Sequence, residues 1–478
     1  MGYIAAALNR KGKDASEAVA RMLRAAGGAA GVYYGLASPG QAEHRNHPPG
    51  FTSVTGDTVI GYKATSPGDY PPQPLTQPSG SLCVNAALYG GEEPGTLAAA
   101  NLMEADPLLG LRNLMGAAGH HAAVQISPGR VLCSRDPIGT RPLYVAWDDE
   151  LCAAASNRKM LWSLGLEPTP LKPGHIACLT HAGAQDEEIA TLKRPKPLSD
   201  APETILDTLD VALRDAARGM SREAPRGTLA FSGGIDSTLA AHYLRDAGVD
   251  LSLTCVGIGA REEYGHAQAA ADSLGLELQV NPVTVEELEE AVPDIVRSVE
   301  DSSPLAVGVA APLHFAAKAA SERGHSAIFT GGGCDEVFGG YRKYHAAYLE
   351  DPSRAEEMML RDTAGSWATN YERDAKTCTD LGLDLHLLFA HPRVSGYGLR
   401  VPVELKLPRG MDQPRKTILR RLAQMHGLPE EVWARPKKAA QYSTGVHSAL
   451  ERLAKRRGVS LHGYLQEIFE TTRKEPDA

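Results

Sequence analysis

A chain of 478 residues exceeds a single domain of about 150 residues, and two large domains fit it best. Its 43% hydrophobic and 22% charged residues supply ample core, and a formal charge of −9 argues against a general nucleic-acid binder, whose footprint is basic. No run of 18 or more apolar residues and no signal-type apolar start occurs, so neither membrane spanning nor secretion is expected. The seven cysteines (83, 133, 152, 178, 255, 334 and 378) form no Cys-x-x-Cys and no metal-type pairing with His, which reads as reduced thiols in a cytoplasmic protein.

Residues 1–195 read as many short strands broken by Gly and Pro, with helices at Ala15–Ala26 and Leu97–Met103. This is the pattern of a β-rich layered domain. Its local marks are Leu82–Tyr89 and Ser134–Tyr144, and within the second, Arg135, Asp136 and Arg141 fit hairpin and interface structure better than a catalytic set. Thr191–Pro202 is the natural linker to a second domain over 201–470.

A helix at Ile205–Met220 leads to Leu229–Ala240, where an apolar strand feeds a Ser/Gly loop that opens into an alanine-rich helix. Such a loop cradles phosphate. Gly233 and Gly234 let backbone approach an anion, the N–H groups of the helix start face it, and Ser232 and Ser237 add hydroxyl donors. Asp236 would repel phosphate directly and is suited to holding Mg²⁺ or orienting the loop. No Walker-type Gly-x-x-x-x-Gly-Lys-Ser/Thr is present. A strand at Leu251–Ile258 and helices at Glu262–Leu274 and Val285–Ser298 continue the alternation expected of a parallel sheet. After a strand at Ser326–Phe329, Thr330–Tyr341 forms a second glycine-rich loop with Gly331, Gly332 and Gly333. Its Asp335 would face Asp236, making two oxygen ligands for Mg²⁺ beside phosphate, while Glu336 would hold the loop.

The Ser232–Ser237 string resembles the pyrophosphate loop of enzymes that split ATP into AMP and pyrophosphate. Together with Thr330–Tyr341 it resembles the glutamine-hydrolysing (class B) asparagine synthetases and their β-lactam synthetase relatives, along nearly the whole chain and most specifically in its second half. The resemblance implies an α/β protein. Its first part would be an Ntn-hydrolase-like αββα domain, and its second an adenine-nucleotide α-hydrolase-like (PP-loop) doubly wound sheet with a helical carboxyl-terminal part. ATP and Mg²⁺ are the implied cofactors, with Val256 and Gly257 on the adenine-contacting strand and Gly331 and Gly333 in the nucleotide site. Glu300–Pro304 resembles a segment bordering the nucleotide, or is an acidic helix end with a turn.

Departures from the family are equally informative. Relatives hydrolyse glutamine with a cysteine directly after the initiator methionine, and here that residue is Gly2. Ala64 stands for a family arginine, and Asn85-Ala86-Ala87 for Asn-Gly-Glu, so the first domain reads as a folded, inactive glutaminase. Gly332 replaces an acidic residue or tyrosine. Asp384 and His386 replace the Glu and Arg of Gly-Leu-Glu-Ala-Arg, leaving Asp384 either a partner of the incoming amine or a structural acid. Arg435–Gly445 matches the segment whose lysine reaches phosphate and the tetrahedral intermediate, with Lys437 the first choice and Lys438 the second.

The implied reaction is adenylation of a carboxylate and displacement of AMP by an amine, with asparagine formation the first choice. The expected partners are a small carboxylic acid and ammonia or an amine, with a separate ammonia-donor protein as one source; neither nucleic acid nor membrane is expected, and a homodimer is compatible with the resemblance. The alternatives are a β-lactam synthetase-like or other amide ligase on another acid, and a non-catalytic ATP-binding regulatory homologue. RNA modification is disfavoured by the missing basic face.

Overall fold

Alternating side chains of the first strand, Gly2–Asn9 (β1), set the architecture of the amino-terminal half, because every one of its residues is buried. Ile4, Ala6 and Leu8 enter one core, and Tyr3, Ala5 and Ala7 another, as period-two alternation requires of a strand covered on both faces. A computed structural model describes residues 2–28, 33–47, 53–65, 71–259, 261–435 and 444–474.

The following strands are Tyr33–Ser38 (β2), Gln41–Arg45 (β3), Thr58–Ala64 (β4), Leu75–Gln77 (β5), Gly80–Leu88 (β6), Gly119–Ser127 (β7) and Arg130–Arg135 (β8). Tyr144–Trp147 (β9), Leu151–Ala155 (β10), Thr169–Pro170 (β11), His175–Thr180 (β12) and Gly183–Glu188 (β13) complete this half. They form two antiparallel sheets ordered β11-β9-β10-β1-β4-β2-β3 and β13-β12-β8-β7-β6-β5. Between the sheets lies the core of Ile4, Ile60, Val124, Ile126 and Cys133. Helices Ser16–Ala25 (α1), Gly95–Met103 (α2), Pro107–Met115 (α3) and Arg158–Trp162 (α4) cover the outer faces. α1 and α4 bring Val19, Leu23 and Leu161 against the first sheet, and α2 and α3 bring Met103 and Leu114 against the second. This is the expected αββα layering.

Residues 189–201 carry neither helix nor strand, and Pro202, the last residue of the expected linker, opens a helix. Beyond them five strands make one parallel sheet: Arg226–Ala230 (β14), Asp250–Gly257 (β15), Leu278–Pro282 (β16), Ala327–Thr330 (β17) and Asp384–Leu387 (β18). The helices joining them include Pro202–Glu223 (α5), Ile235–Asp246 (α6), Arg261–Leu274 (α7), Val285–Val299 (α8), Pro304–Glu322 (α9) and the short Cys334–Phe338 (α10). Leu229 and Phe329 face α5, α6 and α7, whereas Ile328 and Leu385 face α8 and α9. The order β16-β15-β14-β17-β18 reverses between β14 and β17, which is where a doubly wound sheet opens a crevice for a ligand. Among the described residues, helices within 392–435 and 444–474 complete the second half.

The two halves are joined by buried, paired charges. Arg135 lies 2.8 Å from Glu372, Arg141 2.6 Å from Asp384, and Lys159 2.9 Å from Asp380, while Lys376, paired with Glu300 at 2.7 Å within the second half, reaches across to Tyr144. Tyr144 accepts from Lys376 at 2.7 Å and donates to Glu372. Arg135 and Arg141 thus hold the interface, and Asp136 accepts backbone N–H groups of Ile138 and Gly139 within its own turn. Among the described residues no helix is long and apolar enough to cross a membrane.

Candidate functional site

Both glycine-rich loops emerge from the carboxyl ends of β14 and β17, one on each side of the switch point. In the first, Ser237 donates to the Gly234 carbonyl at 3.2 Å, the Ser232 and Ser237 hydroxyls lie 3.1 Å apart, and the Gly234 N–H points to Ser232 at 3.4 Å. Gly233 has φ +66°, and a Cβ there would sit 2.7 Å from the Ala267 Cα of α7. Only glycine fits both conditions. Gly234 leads into α6, so the first N–H groups of that helix open onto the loop.

The second loop is held against the first. A Cβ on Gly331 would lie 3.1 Å from Asp236 Cβ, and Gly333, at φ +85°, would bring one 2.8 Å from the Tyr371 hydroxyl. Glu336 secures the loop by accepting from Tyr341 at 2.6 Å and Asn370 at 2.9 Å. Cys334 lies 3.2 Å from Asp236 Oδ1, and its burial pushes the thiol pKa up.

Asp236 and Asp335 converge as expected, and the structure adds Lys416, which lies outside both glycine-rich motifs. Its Nζ lies 2.6 Å from both Asp236 oxygens and 2.6 Å from Asp335 Oδ1. Burial works against the ammonium charge, but the two carboxylates outweigh it and hold the pKa above the ordinary lysine value. The donor set fits a hard cation: two carboxylates from separate loops, already gathered around one positive charge beside a phosphate-type loop.

Val256 and Gly257 end β15 at the same edge of the sheet, where Tyr264 donates to the Gly257 carbonyl at 2.6 Å. Lys437 and Lys438 lie outside the described residues, but their flanks are fixed. Arg435 pairs with Glu263 at 2.6 Å, Arg420 donates to the carbonyls of Trp433 and Arg435, and Ile258 donates to Thr444 at 2.7 Å. The chain therefore leaves and returns beside α7 and the end of β15.

Asp384 is not brought to these loops. It is the first residue of β18, paired with Ala327 at the amino end of β17, whereas the loops leave the opposite, carboxyl end. Burial opposes its charge, yet Arg141 holds the carboxyl below its usual range, making it an interface acid. His386 is buried between Phe329 and Tyr89 on the same strand, and burial pushes its imidazole down to about 4. Glu300 accepts from the Arg158 and Lys159 N–H groups at 3.0 and 2.8 Å, so it serves the interface rather than the nucleotide edge. A Cβ on Gly332 would press against Leu387 Cδ2 at 3.1 Å and Thr330 Oγ1 at 3.2 Å.

At the start of β1 a side chain on Gly2 would overlap the Lys63 carbonyl oxygen and lie 2.8 Å from the Tyr62 ring. Tyr62 donates to Asn85 Oδ1 at 2.8 Å, and Asn85 donates to the Gly2 carbonyl at 2.7 Å. The space for a residue-2 side chain is thus filled.

An αββα sandwich joined to a doubly wound sheet, whose switch point holds two glycine loops and an aspartate pair, defines a nucleotide-site α/β protein of the pyrophosphate-loop class. The asparagine synthase family model matches residues 208–355 and 349–474, more than half of the chain. The chain belongs to that family. A protein provisionally named asparagine synthetase (glutamine-hydrolyzing) 1, from Methanocaldococcus jannaschii, is 27% identical over 384 residues, covering 69% of each chain. The asparagine synthetase (glutamine-hydrolyzing) of Homo sapiens is 27% identical over 353 residues, 67% of this chain and 62% of that one. The chain therefore spans less than two thirds of the human relative's length. Among solved structures, glutamine phosphoribosylpyrophosphate amidotransferase from B. subtilis covers 60% of this chain and 92% of its own at 14% identity, with a TM-score of 0.38.

Proposed function

We propose that the protein is an ATP-dependent amide-forming ligase that adenylates a carboxylate and transfers nitrogen to it, with asparagine formation from aspartate as the first reading. The observation that carries this is the meeting of Asp236 and Asp335 around one cation, directly beside the Ser232–Ser237 loop at the switch point. Membership of the asparagine synthase family supports it.

A carboxylate is a poor electrophile, and the reaction supplies a leaving group. The substrate oxygen attacks the α-phosphorus of ATP, the α–β bridge breaks, and pyrophosphate departs into the N–H groups and hydroxyls of Ser232–Ser237. An amine then attacks the acyl carbon, loses a proton, and AMP leaves with the bridging oxygen. Asp236 and Asp335 would hold Mg²⁺, which when bound offsets the negative charge of the phosphates. Val256 and Gly257 would border the adenine. Lys437, with Lys438 the second choice, would face the oxyanion, a donor worth about 3–4 kcal/mol by analogy with other oxyanion donors.

Residues 1–195 are proposed as an inactive glutaminase domain that buttresses a synthetase domain over 201–470. The filled space at Gly2 supports this, and nitrogen would then come from ammonia, a separate donor protein, or a substrate amine. A cytoplasmic setting accords with seven free cysteines. A second reading, amide or lactam formation on another acid, is favoured by Gly332, whose surroundings leave little room for the acidic side chain expected there.

The test is AMP and product detection by mass spectrometry with ATP, Mg²⁺ and aspartate, supplied with ammonium, with glutamine, or with neither. Asparagine with ammonium alone supports both the ligase and the inactive glutaminase, and glutamine-driven product overturns the latter. AMP formation only with another acid transfers the reading to that acid. No AMP with any acid, alongside ATP binding, leaves the regulatory homologue.

A further inference from the structure

Lys416 is a poor resident for a site meant to hold a divalent cation, because it already stands where that cation would go. Its Nζ is 2.6 Å from Asp236 Oδ1, Asp236 Oδ2 and Asp335 Oδ1, and the side chain is 2% exposed against 15% and 16% for the two aspartates. A cation bridging these carboxylates has to take the ammonium's place.

The ammonium is held there by the surrounding backbone. Lys416 has φ +63°, in the left-handed region unfavourable to a side-chain-bearing residue, immediately before the helix Thr417–Met425. Arg420 N–H bonds its carbonyl at 3.1 Å, and Thr417 N–H bonds the Lys406 carbonyl at 2.9 Å. Gly340 packs so closely that a Cβ there would overlap Asp335 Oδ1 and sit 2.5 Å from Lys416 Cε. Arg415 fixes that glycine by donating to its carbonyl at 2.8 Å. The stem is thus walled in on the Gly340 side.

We propose that Lys416 is the resting counter-cation of the Asp236–Asp335 pair, that it excludes a divalent cation from the nucleotide-free protein, and that the triphosphate admits the metal by drawing the ammonium onto its own oxygens. The inference rests on the reading of this crevice as a nucleotide site. Without a nucleotide, metal entry would eject a buried ammonium with no anion to receive it. With a triphosphate bound, the ammonium gains new acceptors and the aspartates are released to the metal, so metal and nucleotide enter together. No step of the exchange makes or breaks a covalent bond.

The test is Mn²⁺ binding to the full-length protein, read from the free-ion electron paramagnetic resonance signal, with and without α,β-methylene-ATP, which resists cleavage at the bond that adenylation breaks. Wild type is expected to bind no Mn²⁺ alone at submillimolar concentration and to bind it with the analogue. K416M is expected to bind Mn²⁺ alone at least tenfold more tightly than wild type, K416R to behave as wild type, and K416M/D236N to lose the gain. Stoichiometric Mn²⁺ binding by nucleotide-free wild type overturns the proposal, and this needs no variant to fold. Failure of folded K416M to gain Mn²⁺ also overturns it. Failure of wild type to bind the analogue at all instead overturns the nucleotide reading, and the proposal with it.

Discussion

Tyr62 donates to Asn85 at 2.8 Å, and the pair closes over Gly2 at the place where a residue-2 side chain would stand. The asparagine that relatives keep near their glutamine site here anchors the first strand. Gly2→Cys is therefore expected to restore no glutamine hydrolysis and to destabilise the protein by about 1–3 kcal/mol, the usual cost of forcing atoms into a packed core. Glutamate release and denaturant unfolding check both parts, and release above the wild-type background with unchanged stability would contradict them.

The Arg141–Asp384 pair assigns Asp384 to the interface, 2.6 Å from its partner and at the amino end of β18. Breaking a buried pair leaves an uncompensated charge, so Asp384→Asn should cost about 3–5 kcal/mol in unfolding free energy. Arg141→Met combined with Asp384→Leu should recover part of that loss, because neither charge is then stranded. If Asp384→Asn instead unfolds like wild type and abolishes AMP formation, the acid belongs to the chemistry.

The difference between what was and was not legible in the sequence follows from locality. Ser232–Ser237 and Gly331–Asp335 were readable because each is a short strand-loop-helix string whose glycines meet steric demands at fixed offsets. The β-rich first half was readable from its short strands, and the parallel sheet from its βα rhythm. Lys416 carried no such signal: it is 180 residues from Asp236, and a lone lysine before a helix looks like any other. The place of Asp384 was not legible because a strand has two ends, and the local string does not say which end faces the loops. Helix α9 was missed for a related reason, being apolar on nearly every face and so lacking the stripe that marks a surface helix.

Burial keeps several imidazoles neutral in the folded state, and acid should therefore weaken the protein above the range in which ordinary carboxylates titrate. His121, His242 and His386 are pushed down to about 4 and His391 to about 3, chiefly by desolvation, from an ordinary value of 6.5. Between these limits the unfolded chain binds protons that the folded chain refuses, so stability falls as pH drops through about 6.5 to 4. Glu223, raised to about 7 mainly by burial, works the other way with its single proton. Asp136, lowered to about 2 although burial opposes it because His120 and backbone N–H groups hold its charge, loses its contribution only below the window. Unfolding free energy measured against pH should show His386→Gln flattening the slope by about one proton and Glu223→Gln steepening it by a similar amount. Unchanged slopes in both variants would contradict the assignment.

Arg420 couples the helix that follows Lys416 to the segment that leads to Lys437, since its guanidinium donates to the carbonyls of Trp433 and Arg435. If Lys437 stabilises charge developing on the acyl oxygen, Lys437→Ala should lower the rate of amide formation by about 10²–10³-fold while leaving nucleotide affinity nearly unchanged, because that charge is absent from the ground state. Arg420→Gln should lower the same rate less steeply, by loosening the chain that presents the lysine, and Lys438→Ala should have the smallest effect. Single-turnover AMP and amide formation, measured beside equilibrium binding of α,β-methylene-ATP, separates the two quantities. A full loss in Lys438→Ala with Lys437→Ala near wild type would move the role by one residue. Equal losses of binding and rate in Lys437→Ala would make it a ground-state phosphate ligand instead.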